Sequence, residues 1–185
     1  MHVDHSREKL IQVVSFFAKS VRKLGKTKLC KLLYFADFMH YKETGRSITG
    51  LQYNAWRMGP VPVSLYEELK APKQDWDGIV EFNEIQTING PMLSARSLTP
   101  FDPANFSRRE LRLMEQIANE FRDATADEMI EKTHLENSPW HKIWEQQGAK
   151  QQPIPYDLAL RAQDADLMKG MIADRMDVLK VIAAT

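Results

Sequence analysis

The fold of this chain depends on residues 28–44, which read KLCKLLYFADFMHYKET. Over this stretch, apolar side chains occupy most of the circumference that a helix would have, rather than one face. Thr27 precedes it as a helix-capping residue, and Gly45 follows it with the left-handed backbone that ends many helices. A helix that is apolar all round is normally buried, so we predict that residues 28–44 form the central helix.

Further helices are predicted on both sides of this segment. Apolar residues recur at helical spacing over residues 6–24, with Ser6 as the cap and Gly25 as the stop. The second half of the chain contains two capping-box patterns, which predict helices at 108–122 and 126–134: Ser107 with Glu110, and Thr125 with Glu128.

Alternating apolar and polar residues predict strands in three places, near 51–57, 79–88 and 92–98. Asn89-Gly90 lies between the last two and is a strong hairpin-turn signal. Residues 59–62, Gly-Pro-Val-Pro, should stop sheet pairing after the first strand because proline lacks an N–H donor. We therefore expect the α+β class, a mostly helical domain around a buried central helix with a small three-stranded antiparallel sheet.

Composition places the chain among ordinary globular proteins. It has 185 residues, 43% of them apolar and 27% charged, with 25 basic and 25 acidic side chains. Zero net charge gives no overall field that would attract nucleic acid or anionic lipid. Cys30 is the single cysteine, which excludes a disulfide framework. Because the sequence shows no signal-peptide pattern and no run of 18 apolar residues, we expect a cytoplasmic protein that does not enter a membrane.

The sequence contains no recognisable catalytic or metal-binding motif. Its five histidines and one cysteine include neither a His-Glu-x-x-His pattern nor a cysteine pair, so we expect no metal site. Residues 45–50 place two glycines five apart, but Leu51-Gln52 follows where a phosphate-binding loop requires lysine and serine or threonine. We therefore expect that the protein is not an enzyme and uses no cofactor.

Positive charge is concentrated in residues 9–35, which contain seven basic and no acidic residues. A recognition helix must expose a polar face to the major groove, and the helix over 28–44 is too apolar to do so. We therefore do not expect base reading, and the alternatives are a nucleic-acid-binding regulator that contacts phosphate or a solvated basic corner. The candidate phosphate contacts are Arg22, Lys23, Lys26 and Lys28.

The region after the first strand predicts an apolar ridge. Aromatic residues held by a stiff Gly-Pro-Val-Pro turn can anchor a protein interface at low entropic cost. The alternative is that the prolines only fix the turn while Trp56 and Tyr66 fill the core. The partner-binding candidates are Trp56, Met58, Pro60, Val61, Pro62 and Tyr66.

Three polar residues lie on one side of the predicted central helix, at positions i, i+3 and i+6. These are Tyr34, Asp37 and His40. Their spacing places them close together, so we expect a polar network beneath the ridge.

The last predicted helix carries several methionines, whose flexible side chains adapt to irregular partners. Two interpretations are open. The helix packs back onto its own domain, or residues 164–183 bind a partner protein or form a homo-oligomer with a second copy of the chain.

Several stretches together resemble the Panacea domain, the family of SocA-type antitoxins and phage-associated proteins. The matching stretches form two blocks, one within residues 31–69 and one made of 133–140 and 154–156. The motifs of the first block are the more specific to this family. The matching stretches are 31–37 (KLLYFAD), 40–50 (HYKETGRSITG), 53–56 (YNAW), 59–62 (GPVP), 65–69 (LYEEL), 133–140 (THLENSPW) and 154–156 (IPY).

The resemblance implies an antitoxin of a bacterial or prophage toxin–antitoxin pair, which neutralises a cognate protein toxin by direct contact. Because one family member delivers its toxin to a protease, a proteolytic adaptor is the alternative. The resemblance also implies a Panacea-like domain over residues 1–156, followed by a helical extension over 157–185 that packs on the domain or on a partner.

Overall fold

A computed structural model of the chain describes residues 5–88, 90–160 and 162–183. Two single 3₁₀ turns, Gln74–Trp76 and Tyr156–Ala159, and one π-helical turn, Lys142–Gln146, accompany the helices. The helices are α1 (Ser6–Ser20), α2 (Lys26–Thr44), α3 (Val63–Glu68), α4 (Arg108–Glu120), α5 (Ala126–Thr133), α6 (Pro139–His141) and α7 (Ala162–Ala183). The strands are β1 (Asn54–Trp56), β2 (Gly59–Val61), β3 (Val80–Thr87) and β4 (Gly90–Ser97).

Helix α2 is the central element, as its composition predicts. It packs against α1, α4, α5, β2, β4 and the turn at 156–159. Its residues 28–34 are all buried, as expected for a helix that is apolar on every side. The helix begins after Gly25 rather than after Thr27, and Gly45 ends it with a φ of 70°.

The α+β class is confirmed, but the expected three-stranded sheet is wrong. The strands form two separate antiparallel pairs, β1 with β2 and β3 with β4. Residues 59–61 do not stop pairing after β1; they fold back on it, with Trp56 opposite Gly59 and Ala55 opposite Pro60. Pro60 is tolerated there because β2 lies at the edge of a two-stranded sheet, where its missing N–H breaks no ladder.

The free edge of β1 pairs with a segment that is distant in sequence. The amide N–H of Ala55 donates to the carbonyl of Gln152 at 2.9 Å, and the N–H of Ile154 donates to the carbonyl of Tyr53 at 2.7 Å. The two motif blocks noted in the sequence are therefore joined by backbone hydrogen bonds.

The β3–β4 hairpin lies against α1, and β4 begins two residues earlier than the sequence predicts. Thr87 pairs with Gly90, so Gly90 begins β4 instead of sitting in the turn. Asn89, the other predicted turn residue, lies outside the described residues. The hairpin is anchored at its base, where the N–H of Ala95 donates to the carbonyl of Leu24.

Both capping boxes are confirmed. Ser107 accepts a hydrogen bond from the N–H of Glu110, Thr125 accepts one from the N–H of Glu128, and each glutamate returns a bond to its cap residue. These contacts place the starts of α4 and α5 as predicted.

Helix α7 touches the domain through Ile172, near the middle of the helix. A β-carbon at Gly45 would lie 2.8 Å from Ile172, which shows how closely α7 approaches the end of α2. Met171, Met176 and Val178 are more than half exposed. The side chains of Leu167, Leu179 and Ile182, part of the predicted stripe, lie outside the described residues. The boundary at residue 156 and oligomerisation through 164–183 stay predictions. Within the described ranges, no helix is long and apolar enough to cross a membrane.

Candidate functional site

The carboxylate of Asp37 holds the loop that follows α2. It is fully buried and accepts hydrogen bonds from the backbone N–H of Ile48 and of Thr49, both at 2.8 Å. The hydroxyl of Tyr53 donates to it at 2.7 Å, and that of Thr49 at 2.5 Å. Burial raises the pKa of Asp37, while these four donors act in the opposite direction. The carboxylate therefore fixes the loop to the central helix.

His40 also binds the loop that follows α2, whereas Tyr34 does not. The Nδ1 of His40 lies 2.8 Å from the carbonyl of Arg46 and donates to it, and burial lowers the pKa of the ring. The buried Tyr34 hydroxyl has no hydrogen-bond partner of normal geometry among the described residues. The expected three-residue network is thus reduced to Asp37 and His40, and it lies beneath residues 46–53 rather than beneath the ridge.

A buried lysine fixes the turn between β1 and β2. Lys31 is 1% exposed, and its ammonium donates to the carbonyl of Pro60 at 2.9 Å. Burial lowers the pKa of Lys31 to about 8. Gly59 lies against the same ammonium and against Thr133, so α2, β2 and α5 meet at this point.

An aromatic stack joins the second motif block to the same turn. The ring of His134 lies parallel to Trp140 with their centroids 3.7 Å apart, and Trp144 continues the stack at 5.6 Å. The indole N–H of Trp140 donates to the carbonyl of Trp56 at 2.8 Å. Burial and the charge of Lys31 lower the pKa of His134, which favours the neutral ring.

The predicted ridge is only partly at the surface. Pro60, Val61 and Pro62 are buried, because β2 packs against α2, and this corrects their assignment as partner contacts. Trp56 and Tyr66 are half-buried and form an edge-to-face pair with centroids 5.2 Å apart. Met58 is 53% exposed at the tip of the β1–β2 turn. The surface ridge therefore consists of Trp56, Met58 and Tyr66.

The basic corner is weaker than the sequence predicts. Lys28 is buried, and its ammonium donates to the carbonyls of Arg22 and Arg122 at 3.0 and 3.1 Å, which corrects its assignment as a phosphate contact. Arg22 is exposed but pairs with Asp123 at 3.2 Å. Lys26 lies over the ring of Tyr66 at 3.5 Å from its centroid. Lys23 is exposed. Three of the four cations, Arg22, Lys26 and Lys28, are thus engaged in contacts within the chain.

The described residues contain no group of three histidine, cysteine, aspartate or glutamate side chains that could hold a metal ion. The fold is that of a small α+β domain.

A family model described as "Antitoxin SocA-like, Panacea domain" matches residues 29–141, from the first turn of α2 to the end of α6. This is more than half of the chain, which therefore belongs to the family of SocA-like antitoxins with a Panacea domain. No curated protein and no solved structure matches the chain.

Sequence reasoning did not identify Lys31, Thr133 or His134 as parts of one cluster. The available signal was that the matching stretches 31–37, 59–62 and 133–140 contain the residues that meet at Lys31. Lysine is normally exposed, so its position on an apolar helix did not by itself indicate burial.

The buried Lys31 predicts an unusual pH dependence of stability. Its pKa of about 8 lies below the value of 10.5 that applies to the unfolded chain, so above pH 8 the unfolded state binds more protons and stability rises with pH. Burial of Cys30 raises its thiol pKa from 9.0 to about 11, which lowers stability from about pH 8 upward and offsets part of this gain. We expect a net gain of about 0.6 kcal/mol between pH 8 and pH 9 in urea unfolding.

The Lys31→Met variant provides the control for this measurement, because it keeps a long side chain and removes the titrating group. Its free energy of unfolding should not rise over the same interval. An equal rise in both proteins would show that Lys31 is not the group responsible.

Proposed function

We propose that this chain is an antitoxin that neutralises a protein toxin by binding it directly, and that it carries out no catalytic step. The observation that carries the proposal is the family match over residues 29–141. A neutralising complex needs exposed apolar anchors on a rigid support. Trp56 and Met58, at the β1–β2 turn held by Lys31, and Tyr66 of α3 supply such a surface. The proposal places both proteins in the cytoplasm, where the toxin is made.

The proposal is tested by expressing this chain together with the protein encoded by the reading frame next to its own gene. We expect the neighbouring protein alone to arrest growth, and co-expression to restore growth and yield a complex that co-purifies. Failure of both would overturn the proposal. The half-life of the neighbouring protein separates the two modes of action, since direct neutralisation leaves it unchanged and a proteolytic adaptor shortens it.

The ridge gives a second prediction. Replacing Trp56 and Tyr66 together by alanine removes both aromatic anchors, and we expect protection to be lost with a decrease in affinity of at least about tenfold. Growth rescue and a binding titration with the neighbouring protein measure this effect, and circular dichroism checks folding. The control is the double substitution Ile85→Ala and Ile88→Ala on the exposed hairpin, which should protect fully. A folded ridge variant that still protects would show that the ridge is not the interface.

A further inference from the structure

One strip of the central helix is not covered by the residues that the structure describes. Phe35 and Met39 are only half-buried and Lys42 is exposed, whereas most residues between them are buried. These three residues are spaced i, i+4 and i+7, so they form a single line along α2. A helix that is apolar all round is normally enclosed by other elements. Along this line, the described part of the chain leaves α2 open.

The strip forms the floor of an open groove. One wall is the α5–α6 connection, where Leu135 is 59% exposed, and the other is formed by Leu158 and Leu160. The groove has a volume of about 640 Å³, within the range of sites that bind ligands in proteins. None of the ridge residues Trp56, Met58 or Tyr66 lines it, so it is a separate surface.

The floor is held rigidly. The ring of Phe35 stacks on Phe121 of the α4 end, with centroids 5.0 Å apart and an angle of 10° between the rings. The Lys142 ammonium donates to the carbonyl of Leu158 at 2.9 Å and so joins the two walls at one end. A groove that is already formed loses little entropy when it binds a partner.

The charges around the groove are mainly positive. Three lysines and one glutamate line it: Lys42, Lys132, Lys142 and Glu136. Lys132 pairs with Glu120 at 3.5 Å, outside the groove. Lys42 has no hydrogen bond or ion pair with the residues that the structure describes, and it lies at the end of the apolar strip. The groove therefore combines an apolar floor with an unpaired cation.

The dimensions of the strip indicate what fits. Seven residues of helix rise about 10 Å, or two turns. This length suits two or three apolar side chains of a short amphipathic segment, and the lysines suit a carboxylate beside them. A basic or uncharged segment would leave Lys42 without a partner.

We propose that this groove docks a short amphipathic segment of the partner protein, with two or three apolar side chains facing α2 and an acidic side chain facing Lys42. This inference rests on the proposed function, because the partner is the toxin that the chain neutralises. It adds a second contact surface to the ridge and states the chemistry that the toxin must present.

The test uses substitutions of exposed residues in the full chain, so that folding is preserved. Leu135→Asp places a charge on the apolar wall, and Lys42→Glu reverses the cation. We expect each to weaken binding of the protein from the neighbouring reading frame by at least about tenfold and to reduce growth rescue. Lys42→Arg should retain binding. Ile88→Asp, an equivalent substitution at a fully exposed site on the hairpin, should bind like the wild type.

The outcomes distinguish a failure of the groove proposal from a failure of the proposed function. If the wild type protects and both groove variants also protect with unchanged affinity, the groove proposal is wrong and the antitoxin function stands. If Leu135→Asp changes only self-association, seen as loss of a dimer in light scattering, the occupant is a second copy and the proposal is equally wrong.

If the wild type itself neither binds nor protects, the proposed function fails and a peptide titration decides the groove by itself. The probes are two labelled twelve-residue peptides with leucines at helical spacing, one carrying glutamates at the other positions and one carrying lysines. We expect the acidic peptide to bind at least about tenfold more tightly, with binding lost in Leu135→Asp. Equal binding of the two peptides, or no binding of either, would overturn the proposal.

Discussion

Asp37→Ala should lower the free energy of unfolding by about 3–5 kcal/mol, because it leaves several buried donors without an acceptor. The carboxylate is 0% exposed and receives two backbone N–H groups and two hydroxyl groups, from Ile48, Thr49 and Tyr53. Alanine supplies no acceptor, so these buried donors lose their shared partner. Urea or guanidinium unfolding followed by circular dichroism measures the loss.

Two further variants make this prediction specific. Asp37→Asn keeps the shape and one acceptor oxygen but directs an NH₂ group at hydrogen-bond donors, so its loss should be smaller than that of alanine and still exceed about 1 kcal/mol. Asp174→Ala, at an exposed position of α7, should change stability by less than about 0.5 kcal/mol. If Asp37→Ala lowers the free energy of unfolding no more than Asp174→Ala does, Asp37 does not stabilise the loop that follows α2.

Gly59→Ala should destabilise the domain by about 3 kcal/mol, since the new methyl group has neither the backbone conformation nor the space that it needs. Gly59 has a φ of 94°, which side-chain-bearing residues rarely adopt. Its added β-carbon would lie 2.6 Å from the Oγ1 of Thr133 and 3.0 Å from the Nζ of Lys31. To make room, the Thr133 hydroxyl must shift, and the Lys31 ammonium that binds the carbonyl of Pro60 must give by a few tenths of an ångström.

Gly78→Ala separates the two causes. Gly78 also has a positive φ, 75°, but nothing lies within 4 Å of an added β-carbon. It should therefore show only the conformational cost of about 1 kcal/mol. The difference between the two variants measures the crowding around Lys31 and Thr133. Equal losses at Gly59 and Gly78 would show that the crowding has no energetic effect.

The successes of the sequence analysis concern features whose physical cause is local. The helix over 28–44 follows from apolar residues on every side, and the starts of α4 and α5 follow from Ser107 and Thr125 with a glutamate three residues later. The family resemblance also follows from local motifs, and the match over residues 29–141 confirms it.

The errors concern features that depend on distant parts of the chain. Pro60 was expected to end sheet pairing, but it pairs at an edge and its carbonyl is bound by Lys31 from α2. Lys28 was expected at the surface, but two carbonyls at the ends of other elements enclose its ammonium. A residue's propensity does not indicate which distant groups surround it, so neither outcome was accessible from local sequence.

The sequence by itself determined the helical framework and the family, because helix periodicity, capping and motif spacing involve residues only a few positions apart. Only the tertiary structure decided which side chains are free to meet a partner. It buried Pro60, Val61, Pro62, Lys28 and Lys31, and it left Met58, Leu135 and Lys42 at the surface. The physical reason is that exposure depends on what packs against a residue, and here the packing elements are distant from one another in sequence.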